Sequence, residues 1–372
     1  MKDNPLKTVG TLGQSIWLDY IRRDLIESGD LQKLIDEDGL RGMTSNPTIF
    51  EEGIASGRGY DDEITALAKA GKSINEIYES ITQNDVRKAA DAFRPLYDST
   101  EGRDGYVSLE VNPHLAHNSQ GTMDEARRLW AALDRPNVLI KIPATSEGLP
   151  VIKHLISEGI NVNVTLLFGA SRYKHVADAY MSGIEARARR EKPLAQVASV
   201  ASFFVSRIDG LVDPLLDQVV AKDGADASLA ANLRGQVAIA SSKMVYQVYK
   251  DLCSSSRFSE IGAQGARPQR LLWASTSTKN RQYSDVKYVE ALIGRETIDT
   301  LPLKTLNDYR DHGQPKDRIE EDMSGATKSL EQLMELGISI AKITQQLEDE
   351  GIQKFCKSYD KLMATLQRAA RR

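Results

Sequence analysis

Residues 137–168 read NVLIKIPATSEGLPVIKHLISEGINVNVTLLF, and they contain one complete strand-to-helix-to-strand step. The run from Val138 to Ala144 is apolar except for Lys141, and Pro143 lies near its end. The next segment places Leu149, Ile152, Leu155 and Ile156 on one helical stripe, with Pro150 in the first turn and Gly159 as the stop. A second apolar run follows at once. Two buried strands joined by an amphipathic helix must lie parallel, because so long a crossover returns the chain to the starting edge of the sheet.

The same alternation extends in both directions. Eight short apolar runs are separated by helical stretches: residues 15–20, 39–46, 105–111, 137–144, 161–168, 197–207, 270–276 and 296–302. Longer helices are expected from Ile74 to Phe93 and from Ala227 to Cys253, with further amphipathic helix after Leu330 packing outside the strand core. Eight strands alternating with helices is the count of an α/β protein of the (β/α)8 TIM barrel type, whose active site sits at the C-terminal strand ends. An open doubly wound sheet usually carries a glycine fingerprint for a nucleotide, and GIASGRG at 53–59 fits neither the dinucleotide nor the phosphate-loop pattern. The segments at 186–193 and 262–270 read as exposed connections. The expectation is a single barrel over 1–372, with an extra helical segment at about 330–372.

Composition narrows the function classes. The chain has 372 residues, 41% of them hydrophobic, and its net charge of -4 gives no reason to expect nucleic acid or an anionic membrane as partner. No apolar run reaches membrane-helix length and the first residues lack a signal-peptide core, so a cytoplasmic location is expected. Cys253 and Cys356 are too few for a disulfide framework. His114 and His117 stand three apart, but no third ligand falls at metal spacing, so no metal is expected.

Strand parity then sorts the polar residues. If Val138, Ile140 and Ile142 face the helical layer, Leu139 and Lys141 face the barrel interior. The same split turns Trp17 and Asp19, Ser108 and Glu110, and Asn163 and Thr165 inward, while Asn46 and Ser202 end or nearly end their runs. Barrel interiors normally take Val, Ile and Leu, and a buried group of carboxylates, amine, amides and hydroxyls forms either a satisfied network or a site. A desolvated lysine favours its neutral amine, which attacks carbonyls to form a Schiff base. Asp19 or Glu110 could serve as the base, and Thr165 could orient a water. Arg207, Ser275, Ser277 and Lys279 supply a cation and donors for a phosphate near the sixth and seventh strand ends.

The ordered motifs LDYIRRD, TSNPTIF, VSLEV, IKIPAT, INVNVTLLF, ASFFVSRID and LLWAST resemble the transaldolase family, in its longer bacterial branch. The resemblance implies a class I aldolase-type barrel with Lys141 as Schiff-base nucleophile, Asp19 as the acid/base for the donor C4 hydroxyl, and Glu110 with Thr165 activating the catalytic water. It implies that Asn46, Asn163 and Ser202 hold the dihydroxyacetone hydroxyls with Thr44 beside them, that Phe204 lines the pocket, and that Arg207 and Ser275 bind phosphate. Sugar phosphates are the implied substrates, with no metal or organic cofactor and a monomer or homodimer as the working form. Shorter family members carry a second phosphate arginine where this chain has Ser277, and Lys279 is the expected replacement.

Overall fold

A computed structural model describes residues 4–56 and 59–371. Strands β1 (Ser15–Asp19), β2 (Gly42–Thr44), β3 (Tyr106–Glu110), β4 (Val138–Pro143), β5 (Val162–Leu167), β6 (Ser199–Phe204), β7 (Arg270–Ala274) and β8 (Thr297–Leu301) close into one barrel in sequence order. Every neighbouring pair is parallel, including β8 with β1. With helices around it, this is the (β/α)8 barrel expected from the alternation. The decisive step forms as read: β4 is buried throughout, the helix runs from Gly148 to Glu158, and Gly159 ends it in the left-handed region. Part of the GIASGRG stretch, residues 57 and 58, lies outside the described residues.

The barrel interior is layered. At its N-terminal end the Arg270 guanidinium donates to Asp104 Oδ1 at 3.1 Å, Ser15 Oγ at 2.7 Å and the Thr297 carbonyl at 2.9 Å. Arg270 is only 7% exposed. It begins β7, as the run at 270–276 anticipated, so the exposed connection expected at 262–270 ends before it. Above this layer lies the indole of Trp17, fully buried. Gly42 makes room for it, since a Cβ there would stand 2.5 Å from the ring. The upper layer is polar and holds the site.

Two helices differ from their expected limits. The first runs from Ile74 to Ser99, opened by a capping box in which the Ser73 hydroxyl accepts from Glu76 N while the Glu76 carboxylate accepts from Ser73 N. The second breaks into Ala227–Leu233 and Val237–Cys253. Gly235 adopts φ +67° there, and its N–H donates to Asp213 Oδ1 at 2.8 Å, while Ala238 N donates to Asp209 Oδ1 at 2.7 Å. A hydrophobic stripe continues through such a break, so periodicity alone does not register it.

The chain ends in helices Met323–Glu335 and Ile340–Ala369, the latter capped by the Ser339 hydroxyl. The last helix buries Ile343, Leu347, Gly351, Ile352, Phe355, Leu362 and Leu366, a stripe at helical spacing. It packs on the helix Pro47–Ala55 and on β5, which carries it across the C-terminal mouth of the barrel. Among the described residues no helix is long and apolar enough to cross a membrane.

Candidate active site

Parallel strands place their C-terminal residues on one rim, and register brings the inward polar residues together there. Glu110 pairs with Lys141, and Lys141 with Asn163, as Cα neighbours. Lys141 is 4% exposed, and its Nζ donates to the Ser45 carbonyl at 3.0 Å and lies 3.5 Å from Glu110 Oε2. Desolvation pushes the Glu110 carboxyl up to about 7, against the pull of the Lys141 ammonium. Enclosure also raises Asp19 above the ordinary carboxylate range, opposed by Lys141, the Thr44 hydroxyl and Arg207.

Asp19 is held by a directed chain of hydroxyls. The Thr44 hydroxyl donates to Asp19 Oδ1 at 2.6 Å and lies 2.8 Å from Thr300 Oγ1. One hydroxyl carries one proton, so Thr44 spends its proton on Asp19 and Thr300 must donate to Thr44. A second chain crosses the barrel: Ser202 Oγ donates to Asn163 Oδ1 at 2.6 Å, and Asn163 Nδ2 donates to Ser108 Oγ at 3.0 Å. Asn163 is wholly buried, so its amide is locked in one orientation. Thr165, two residues on and on the same face by alternation, keeps a buried hydroxyl with no hydrogen-bond partner among the described residues, and Glu110 Oε2, near Lys141 but beyond hydrogen-bond geometry, has none there either.

The remaining expected residues are distributed around the rim. Asn46 caps the helix Pro47–Ala55, its Oδ1 accepting from Ile49 N at 3.1 Å, which leaves the amide N–H groups to donate elsewhere. Asp19, Thr44, Asn46, Lys141, Ser202, Phe204, Arg207, Ser275 and Ser277 line one cavity of about 370 Å³. Glu110, Asn163 and Thr165 are buried close to Lys141 in the strand register and do not line this cavity themselves. Phe204 packs against Phe168 with the rings tilted at 45° and their centroids 5.2 Å apart, and the Arg207 guanidinium sits 5.3 Å from the Phe204 centroid. Lys279 lies outside this cavity and lines an adjoining one of about 540 Å³, which shares Arg207 with it.

At the C-terminal ends of β5 and β7, Leu166 and Ser275 take left-handed backbone, each at φ +56°. Such a conformation costs about 1–3 kcal/mol and persists only where the surroundings impose it. At Leu166 it accompanies the register irregularity between β5 and β6. At Ser275 the backbone carbonyl accepts from Ser206 N at 3.0 Å and the two hydroxyls lie 3.1 Å apart.

Sequence reasoning missed Thr300, Ser45, Ser206, Lys354 and Phe355. The parity split, applied to β8, would have turned Thr300 inward with Ile298. Ser45 acts through its carbonyl, which carries no side-chain signal. Lys354 and Phe355 come from the last helix and line the same cavity as Lys141. Among the described residues no group of three metal-ligating side chains converges.

Comparisons with known proteins agree with this geometry. The model of the transaldolase/fructose-6-phosphate aldolase family matches residues 16–366. A transaldolase of Trichodesmium erythraeum is 47% identical over 99% of this chain and 98% of its own length. Transaldolases of Thiobacillus denitrificans and Thermobifida fusca are 45% and 42% identical, over 98% and 97% of this chain and 99% and 96% of their own lengths. The inward lysine, its two carboxylates and the cation at the rim thus sit in a chain that matches almost end to end, and it belongs to the transaldolase/fructose-6-phosphate aldolase family.

Proposed function

We propose that this protein is a transaldolase that moves a dihydroxyacetone unit from sedoheptulose 7-phosphate to glyceraldehyde 3-phosphate, giving erythrose 4-phosphate and fructose 6-phosphate. The observation that carries the reading is Lys141: an amine 4% exposed at the edge of a polar cavity, held by one carbonyl and flanked by two carboxylates. In this reading the Lys141 amine attacks the ketose C2 carbonyl, and loss of water leaves an imine. Asp19, oriented by Thr44, takes the proton from the C4 hydroxyl. The C3–C4 bond breaks, its electron pair flows into the protonated imine, and the aldose phosphate leaves. The retained enamine then attacks the aldehyde carbon of the acceptor, whose oxygen regains the proton from Asp19. Water adds to the new imine and releases the ketose.

Glu110 and Thr165 serve the water steps, because a carboxyl near 7 exchanges protons readily at neutral pH and the Thr165 hydroxyl has a free bond to offer. Asn46, Asn163 and Ser202 hold the hydroxyls of the three-carbon unit. Phe204 walls the pocket beside them. Arg207 and Ser275 receive the phosphate, with Lys279 near them. The chemistry requires no metal and no organic cofactor. The activity belongs to the non-oxidative pentose phosphate pathway, in the cytoplasm, and the barrel with its terminal helices acts as one unit.

Borohydride trapping with fructose 6-phosphate, followed by peptide mapping, tests this reading. Label on Lys141, together with turnover that requires an acceptor aldose phosphate, is the expected result. Label on another lysine refutes the mechanism, and steady release of free dihydroxyacetone without acceptor moves the assignment to an aldolase.

A further inference from the structure

Three cations face one another at the rim, each from a different part of the chain. Arg207 opens the helix Ser206–Val220, Lys279 follows β7, and Lys354 projects from the last helix, Ile340–Ala369. All three line the 540 Å³ cavity, and Arg207 and Lys354 also line the cavity that contains Lys141. None of the three has a salt bridge or a side-chain hydrogen bond among the described residues, although surface lysines and arginines elsewhere in the chain pair freely. Asp19 and Glu350 face Arg207, Glu52 faces Lys354, and Asp209, Asp213 and Asp217 line the 540 Å³ cavity with them, but among the described residues none of these carboxylates forms an ion pair with the three cations.

Like charges held together cost free energy unless an anion joins them. Repulsion adds to desolvation at Lys279 and Lys354, whereas Arg207 is lowered by desolvation alone. Desolvation and then the charges of Arg207 and Lys354 push the Lys279 ammonium down to about 8, although Lys279 and Lys354 are both exposed to solvent along part of their side chains and only Arg207 is half-buried. Arg207 and Lys354 are both lowered as well, first by desolvation, with Arg207 adding to the effect on Lys354.

The last helix is seated against this cluster rather than merely near it. Gly351 lies in the interior of a 30-residue helix, where glycine costs about 1 kcal/mol relative to alanine. A Cβ at that position would stand 3.5 Å from Arg207 Nη1 and 3.0 Å from Leu166 Cδ2. The missing side chain therefore eases the approach of the helix backbone to Leu166, the left-handed residue of β5, with Arg207 at ordinary contact distance beside it. Lys354, three residues on and so on the neighbouring face, is carried to the mouth of the cavity.

We propose that Lys354 is a third phosphate-binding cation, which with Arg207 and Lys279 forms a cationic cradle beside Ser275. The last helix is then a wall of the substrate site, not an appendage. The identity of the phosphate ester rests on the transaldolase reading; the cradle itself rests on the three unpaired cations.

The test compares wild type, Lys354→Met and Lys354→Arg by two measurements. In steady-state assays with fructose 6-phosphate, Lys354→Met is expected to raise KM by about tenfold or more, the loss of one charge-assisted contact, with kcat within about twofold. Lys354→Arg is expected to restore KM. Calorimetric titration with inorganic phosphate should show the same order of affinities without turnover. A kcat loss with unchanged KM, or phosphate affinity unaltered in Lys354→Met, overturns the proposal. If the wild type fails to process sugar phosphates, yet phosphate affinity falls in Lys354→Met and returns in Lys354→Arg, the cradle stands and the transaldolase reading falls.

Discussion

Replacing Glu110 by glutamine separates the shape of this carboxyl from its proton. Burial lifts Glu110 to about 7, so roughly half of the free protein carries it ionised at pH 7 and about one-tenth at pH 6. If the ionised form activates water, kcat/KM should fall about tenfold per pH unit on the acid side of 7. Glutamine fills the same volume and keeps an oxygen beside Lys141, but it cannot take a proton, so a loss of about 10²-fold or more is expected at pH 7.5. The acid limb centred near 7 should vanish with it. Thr165→Val is the companion variant: it removes a hydroxyl that does not titrate, so the rate should drop while the limb stays in place. The assay is the pH profile of kcat/KM with fructose 6-phosphate and erythrose 4-phosphate, run at constant ionic strength. An acid limb with the same midpoint in Glu110→Gln and wild type would refute the assignment, since some other group would then be titrating.

Two further expectations follow from the hydrogen-bond directions and from burial. Thr300→Val removes the donor to Thr44, a loss of about 1 kcal/mol in the chain that orients Asp19; kcat should fall roughly fivefold with KM little changed, and Thr300→Ser should retain most of the rate. An equal loss in the serine variant would mean that packing, not the hydroxyl, matters. Asp299, wholly buried on β8, accepts from Thr276 Oγ1 at 2.8 Å through one oxygen while the other has no partner, and burial pushes it up to about 8. A carboxyl raised on folding contributes stability that is fully present below its unfolded value near 4 and is lost as pH rises through 8. The melting temperature of Asp299→Asn relative to wild type should therefore increase steadily from pH 5 to pH 8.5, and a difference independent of pH would sink the argument.

Much of the architecture was legible because two periodicities, 3.6 and 2, suffice to report helix and strand, and because β strands spaced by helices can only be parallel. All eight runs became strands within a few residues of their expected limits. The lysine, both carboxylates and the buried amide could be turned inward by parity alone, since alternation is a property of the local backbone. What local pattern cannot contain is any fact that depends on a break or on a distant partner. The split at Gly235 depends on Asp213, and the burial of Arg270 depends on Asp104 and Ser15. Ser45 offers a main-chain carbonyl, which looks the same at every residue.

By itself, the sequence determined the barrel and its inward polar set, because hydrophobic spacing and strand alternation act over a few residues. Only the tertiary structure decided how those groups meet: the Thr300–Thr44–Asp19 order, the 3.5 Å approach of Lys141 to Glu110, and the arrival of Lys354 beside Arg207. Lys354 lies 147 positions after Arg207 on a helix whose apolar stripe says that it packs, but not against what. Closure of the barrel and the close seat at Gly351 bring it to the site, and both are long-range packing events to which no local stretch of sequence refers.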